Sequence, residues 1–502
     1  MLGRVRTLQR YFGTTAQAEF DLIVIGAGSG GLACSKAAAN LGVKVALVDA
    51  VAPSPHGTKW GIGGTCANVG CIPKKLMHQA ALVGKELENA ASYGWNWVEK
   101  GQKHDWKTLV RVVNDRIKAN NWVYRVDLNE KGVKYYNAFA TFVDSTTVRT
   151  VADTRKRTET LLRAPKIVVA TGLRPRYPQI PGTELGITSD DVFTLTDPPG
   201  RTLVVGGSYV ALETAGFLKG LGYPVDLLIR SRPLKGFDQD CVTLVMKSLA
   251  EHGVNVLPPS EVQSVEKHRE VQRMVHFGNR SMSKEIYDTV VWGIGRDPSH
   301  YELNLDKAGI KTGSSGRILV DDRDVTTTKN IFAIGDIADG RPELTPTAIL
   351  SGQLLASRIF GQSEKLMDYR NIATTVFTSL ELGTVGMTEE DAIRHYGAKK
   401  VEVYHSYFTP FEYIVPQHQD SENCYAKVIC LRSVPRTVLG MHVVGPNAAE
   451  IIQGYAVAMR TGLTFDQLTE TVAIHPCSSE EFIKMSVSKR SGGNPRGRGC
   501  CG

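Results

Sequence analysis

The chain has 502 residues, 42% hydrophobic and 22% charged, and no apolar run of 18; this excludes a disordered tract and a membrane span and implies about three domains. Its 49 glycines show no fixed period, which excludes collagen, and nine cysteines over this length exclude a secreted disulfide scaffold. The net charge of +8 lies almost wholly at the ends, with Arg4, Arg6 and Arg10 in the first 18 residues and Lys489, Arg490, Arg496 and Arg498 in the last fourteen, so no nucleic-acid surface is implied.

Residues 1–17 are basic and acid-free, which predicts a mitochondrial transit peptide; a frayed basic terminus is the alternative. An apolar strand over 20–25 then runs into Gly26-Ala27-Gly28-Ser29-Gly30-Gly31, an alanine-rich helix over 32–40 and a strand over 43–48 that ends at Asp49. Strand, glycine turn, helix, strand and acid in this order predict a dinucleotide site. Gly26 makes the turn, Gly28 admits a pyrophosphate and Gly31 lets helix and strand pack closely, while Asp49 accepts from a ribose hydroxyl. A strand over 166–170 is closed by Thr171-Gly172, and 330–334 precedes Gly335-Asp336, which places Asp336 at the carboxyl edge of the same parallel sheet, where ligands bind.

Between these segments the unit repeats: a strand over 201–205, Gly206-Gly207-Ser208-Tyr209-Val210-Ala211, a helix to about 221 and a strand over 225–229. Serine stands where the second glycine is expected. After the second strand an acid is missing and Arg230, Arg232 and Lys235 take its place, which favours a 2′-phosphorylated nicotinamide nucleotide, NADPH, over NADH. The strand over 289–292 followed by Gly293-Ile294-Gly295-Arg296 is the return crossover, so the second unit is inserted in the first.

Cys66 and Cys71 lie in GGTCANVGCIPKK at 63–75. Two cysteines without nearby histidines make a poor zinc site. In an ideal helix residues five apart are separated by about 7.5 Å along the axis, beyond the ~7 Å reach of a disulfide, so a bridge requires a distorted backbone, for which Gly64 and Gly70 provide. A distorted bridge after a phosphate-binding unit reads as catalytic; reduced core thiols are the alternative. Cys500 and Cys501 are adjacent, and a bridge between them closes a small, easily reduced ring on a glycine-rich arm whose Arg496 and Arg498 favour thiolate; surface thiols or a metal-binding tail are the alternatives. In HPCSSEE at 475–481, His475 oriented by Glu480 suits proton transfer to and from thiols, with a packed loop histidine as the alternative. Cys34, Cys241, Cys424 and Cys430 read as core residues.

Taken together, GAGSGG at 26–31, GGTCANVGCIPKK at 63–75, ATG at 170–172, GGSYVALE at 206–213, AIGD at 333–336, HPCSSEE at 475–481 and GCCG at 499–502 resemble the large, animal-type thioredoxin reductases of the pyridine nucleotide–disulfide oxidoreductase family, most of all an invertebrate or nematode mitochondrial form. The resemblance implies an α/β fold of two Rossmann-like dinucleotide-binding domains, the second inserted in the first, with a C-terminal α+β interface domain that forms a head-to-tail homodimer. The boundaries it suggests are 1–17 for the transit peptide, 18–172 with 296–371 for the FAD domain, 173–295 for the NADPH domain, 372–490 for the interface domain and 491–502 for a mobile redox tail. It further implies FAD held around Gly64, Thr65, Thr171, Gly172, Arg296 and Asp336, a Lys74–Glu213 ion pair near the flavin, and Tyr209 covering a nicotinamide pocket that includes Val210. Cys71 becomes the flavin-side thiol, Cys66 the interchange thiol, and His475 and Glu480 come from the other subunit. The expected activity is reduction of thioredoxin by NADPH in the mitochondrial matrix, with no metal, nucleic acid or membrane involved. A glutathione-disulfide reductase of the same family, and a cytoplasmic location, are the alternatives.

Overall fold

A computed structural model describes residues 16–96, 104–279, 282–300 and 302–496. At its centre five parallel strands lie in the order Lys134–Phe142, Val45–Asp49, Leu22–Ile25, Lys166–Val169 and Ile331–Ala333. The innermost are apolar on both faces, as strands covered on both sides must be. Helices Ser29–Asn40 and Thr345–Phe360 cover one face through Leu32, Ala38, Leu355 and Ala356. Phe142, Val148, Leu162, Leu305 and Ile318 fill the other. Lys134–Phe142 continues into an antiparallel meander with Thr147–Ala152 and Glu159–Arg163. Ala16–Glu19 adds a parallel edge to that meander, so the sheet begins inside the stretch 1–17 that composition assigns to a transit peptide. Residues 1–15 of that expected leader lie outside the described residues.

The second unit has its own parallel sheet, ordered Asn255–Leu257, Val225–Leu228, Thr202–Val205 and Thr289–Trp292. Helices Tyr209–Gly220 and Gln239–Glu251 cover one face. The antiparallel strands Val262–Lys267, Arg273–Gly278 and Met282–Tyr287 cover the other with Val265, Val275, Phe277 and Tyr287. The chain enters and leaves this unit as an antiparallel pair, Leu173–Pro175 against Arg296–Pro298, and Ile331–Ala333 rejoins the first sheet beside Lys166–Val169. Insertion of one unit in the other is therefore a property of the strand order.

The third unit is an antiparallel sheet ordered Thr374–Val376, Glu381–Gly386, Val438–Gly445, Tyr425–Leu431 and Val401–Tyr407, with helix Ala448–Arg460 against it. Lys427, 1% exposed, projects from this sheet to Asp238 and Asp240 of the second unit, at 2.8 Å each, and to Glu389. A buried ammonium needs such partners, because an isolated charge pays heavily for leaving water. Among the described residues no helix is long and apolar enough to cross a membrane.

Candidate active site

The strand Leu22–Ile25 ends at Gly26, whose φ of +104° suits glycine alone; helix Ser29–Asn40 follows at once, earlier than its alanine-rich stretch. A Cβ on Gly31 would lie 1.8 Å from the Gly26 carbonyl oxygen, so the close packing read from the motif is a hard steric requirement. Gly28 caps the helix without a side-chain bond, which leaves the first N–H groups for an anion. These residues open on a cavity that Gly64, Thr65, Thr171, Gly172 and Asp336 also line. Asp49 lines it too, with one carboxylate oxygen accepting the Ala27 N–H at 3.0 Å. Burial pushes the Asp49 and Asp336 carboxyls up to about 6, with the charge of Glu343 adding to the rise at Asp336. Thr171 Oγ1 is buried on this wall without a hydrogen-bond partner among the described residues. A free helix terminus, an orphaned hydroxyl and two acids fit a dinucleotide with phosphate and hydroxyl groups. Arg296 does not line the cavity but donates to two residues that do, to Thr65 Oγ1 at 3.3 Å and to the Leu173 carbonyl at 2.9 Å.

Thr65 and Cys66 belong to helix Gly64–Val69 and Cys71 begins helix Cys71–Ala90, with Gly70 breaking the path between them. A Cβ on Gly70 would lie 2.9 Å from the Thr65 carbonyl oxygen. Both thiols are free and share a hydrogen bond. That bond pulls the Cys71 thiol down to about 6, with burial opposing it and the Lys74 charge assisting. The same bond and burial push Cys66 up. Lys74 Nζ lies 2.8 Å from Glu213 Oε1, which also accepts the Phe377 N–H at 2.8 Å, and the ammonium sits 4.1 Å above the Phe377 ring. The ion pair crosses from the first unit to the second. Cys66 lines the first cavity and also a neighbouring one of about 410 Å³ with Lys36, Tyr124, Lys131 and Gln353. Cys71, the thiol expected on the flavin side, lines neither cavity.

The second unit holds a cavity of about 610 Å³ lined by Gly206, Ser208, Tyr209, Arg230, Arg232 and Lys235. Ser208 is the N-cap of Tyr209–Gly220 and donates to the Gly293 carbonyl at 2.9 Å; Val210 is the second residue of that helix and does not line the cavity. Arg230 pairs with Glu261 at 3.1 Å and Arg232 with Glu390 at 3.2 Å, whereas Lys235 has no ion pair among the described residues. An open basic rim on a cavity of this size fits a nucleotide phosphate.

His475 Nδ1 is 3.1 Å from both oxygens of Glu480, at the start of the short helix Glu480–Ile483. Burial pushes the Glu480 carboxyl up, but hydrogen bonds from His475 and Lys484 outweigh it and the net shift is downward. Neither residue lines the cavities that contain Cys66. Cys500 and Cys501 lie outside the described residues. Cys34, Cys241, Cys424 and Cys430 are buried core residues, and burial raises the Cys34 and Cys430 thiols to about 12, whereas Cys477 is half-buried and donates to the Ile474 carbonyl at 3.1 Å.

Sequence reasoning missed Thr345, whose hydroxyl is 3.9 Å from Cys71 Sγ and which lines both cavities at Cys66. Its signal was the Thr345-Pro346 helix start shortly after Asp336. It also missed Phe377, which no local pattern marks.

A sequence profile described as pyridine nucleotide-disulphide oxidoreductase matches residues 20–352, and one for the dimerisation domain of that family matches 372–486. A thioredoxin reductase of Emiliania huxleyi is 50% identical over 498 residues, covering 97% of this chain and 99% of that protein. The mitochondrial thioredoxin reductase 2 of Drosophila melanogaster is 49% identical over 487 residues, covering 96% and 94%.

Proposed function

The chain belongs to the pyridine nucleotide-disulphide oxidoreductase family, in its large thioredoxin-reductase type, and on that premise we propose that it is an NADPH-dependent thioredoxin-disulfide reductase working as a homodimer. The observation that carries this reading is the position of Cys66, which opens on the cofactor cavity and on a second cavity, beside a Cys71 thiol that its hydrogen bond to Cys66 and the Lys74 charge hold below the ordinary thiol value.

The first cavity takes FAD and the second NADPH. FAD, when bound, supplies the conversion of a two-electron hydride from NADPH into an electron pair delivered to a disulfide. The helix terminus at Gly28 holds the pyrophosphate, Asp49 and Asp336 accept hydroxyls, and Lys74, steadied by Glu213, places a positive charge beside Cys71. Tyr209 covers the nicotinamide, and Arg230 and Lys235 hold the 2′-phosphate. Cys71, the more acidic thiol, stays on the flavin side as thiolate. Cys66 is the thiol that leaves the pair: it attacks the Cys500–Cys501 disulfide of the partner subunit, and His475 of the partner subunit returns the proton to the departing sulfur. Cys71 then displaces that mixed disulfide and restores Cys66–Cys71. The terminal dithiol reduces thioredoxin by the same exchange, so one NADPH and one proton convert one disulfide to two thiols.

We place the domain limits at 16–172 with 296–371, 173–295, 372–490 and 491–502; the start moves from 18 to 16 because Ala16–Glu19 pairs in the first sheet, and the limits of the inserted unit are supported by the paired strands at 173–175 and 296–298. The mitochondrial location is supported by the fly relative and by the basic, acid-free start of the sequence. The finer reading, an invertebrate or nematode mitochondrial form with a GCCG tail, draws on the fly relative, although an identity of 50% to the algal protein does not single out nematodes.

Glutathione disulfide is the competing substrate for the cavity at Cys66. Lys36 and Lys131 on its wall both pair with Asp127, at 2.7 and 3.8 Å, which leaves little charge for a ligand with several carboxylates. Deletion of residues 499–502 tests the reading. Thioredoxin turnover is expected to vanish while NADPH still bleaches the flavin; turnover at the full rate defeats the tail relay, and strong glutathione-disulfide turnover in both proteins favours the alternative.

A further inference from the structure

The strand Val401–Tyr407 is an edge of the third sheet, and an edge offers unpaired backbone groups to any chain that reaches it. The last described segment of the protein occupies that edge twice. On its way out, the Val487 carbonyl accepts the His405 N–H at 3.1 Å and Ser488 bridges Tyr404 in antiparallel sense. The chain then turns through Lys489–Ser491 and Gly492, with Arg490 donating to the Ala398 and Val401 carbonyls. It returns to the same strand, where the Pro495 carbonyl accepts the Tyr407 N–H at 2.9 Å and Arg496 bridges Tyr407 in parallel sense. The Arg496 guanidinium lies 4.9 Å above the Tyr407 ring and 3.9 Å from Glu422, and the ring is itself braced by Tyr425 at 4.7 Å. Residues 491–496, which composition assigns to the start of a free arm, are thus seated on the sheet.

We propose that Arg496 and Tyr407 form a clasp that sets the pivot, and hence the reach, of the terminal dithiol. The proposal rests on the tail relay of the preceding section. From a pivot at Arg496, Cys500 and Cys501 lie four and five residues out, which limits them to about 14 and 18 Å of that anchor. Were the return leg released back to Ser491, Cys501 would lie ten residues out and could range over about 36 Å. Doubling a flexible tether lowers the effective concentration of its end by a factor of about three, since this falls as roughly the three-halves power of length. On this proposal the shorter tether keeps the tail in the smaller volume that contains the thiols it must meet. It also accounts for Arg496 differently from thiolate stabilisation: its charge is spent on Tyr407 and Glu422.

The test uses the full-length holoenzyme with Tyr407→Leu, Arg496→Gln and Arg496→Lys, following Cys500 and Cys501 by rapid mixing with NADPH, quenching and alkylation. With the wild-type tail reduced as expected, Tyr407→Leu and Arg496→Gln should each slow its reduction about threefold. Arg496→Lys should restore most of the rate, and the pH midpoint for alkylating the tail thiols should stay unchanged in Tyr407→Leu. Wild-type rates in both Tyr407→Leu and Arg496→Gln overturn the clasp. So does slowing confined to Arg496→Gln with a raised alkylation midpoint, the signature of direct action on a thiolate. Arg496 is half exposed, so Arg496→Gln decides the matter even if Tyr407→Leu fails to fold. A wild-type tail that NADPH never reduces fails the relay itself, a result separate from either.

Discussion

Cys66 and Cys71 share one hydrogen bond, and it divides their acidities in opposite directions because a single proton serves two sulfurs. The bond is the largest cause of the Cys71 shift, so replacing Cys66 by alanine should raise the Cys71 midpoint from about 6 towards the ordinary thiol value, read from the pH dependence of its alkylation. A midpoint unmoved by that change would transfer the effect to Lys74. At the other nucleotide cavity, Arg230 already shares its charge with Glu261 whereas Lys235 does not. Charge-assisted hydrogen bonds are worth ~1.5–3 kcal/mol each, so removing Arg230 and Lys235 together should raise KM for NADPH by roughly 100-fold or more while leaving KM for NADH nearly unchanged. Equal effects on the two nucleotides would remove the argument for 2′-phosphate recognition.

Elements are joined here by charges buried between units. Burial pushes Asp238 up, but the charges of His442 and Lys427 and the Lys427 hydrogen bond hold it down at about 2. A folded value below the ordinary 3.8 means that this carboxylate stabilises the fold in full above about pH 5 and loses that contribution as pH falls towards 2. Lys427→Met leaves Asp238 buried and unpaired, which should cost about 3–5 kcal/mol in denaturant unfolding and flatten the acid limb of the stability profile. A loss of under 1 kcal/mol would show that water enters the site. Nothing in the sequence marks this cluster: positions 238, 240, 389, 427 and 489 follow no local pattern, and they meet only through tertiary folding. The glycine turn at 26–31 was legible because each glycine answers a local steric demand at a strand-to-helix turn. The Lys74–Glu213 pair lies between these cases. Its 139-residue separation hides it from spacing arguments, and only the family resemblance brought the two together. Most strand ends were read one or two residues too long, as at 20–25 against Leu22–Ile25, because an apolar run continues past the last paired residue, whereas 289–292 was read to the residue.

At the scale of the whole molecule, His475 and Glu480 are properly oriented towards each other but stand away from the cavities at Cys66 of their own chain. Beside them Val472 and Ile474 are 93% and 79% exposed, and helix Ala448–Arg460 shows Val457 at 62%. Apolar side chains so bare next to the His475–Glu480 pair suit a face that a second copy covers. A dimer that assembles each site from both chains makes a sharp forecast for mixed subunits. A Cys66→Ser subunit keeps its tail and lacks the thiol that charges it, and a subunit lacking 499–502 keeps the thiol and lacks the tail; each homodimer is inactive towards thioredoxin. Co-expressed in equal amounts, half of the dimers are mixed, and each mixed dimer holds one complete route out of two, so about a quarter of wild-type turnover should return. If electrons instead ran from Cys66 to the tail of the same chain, neither subunit in the mixed dimer would hold a complete route, and turnover would stay at zero at every mixing ratio.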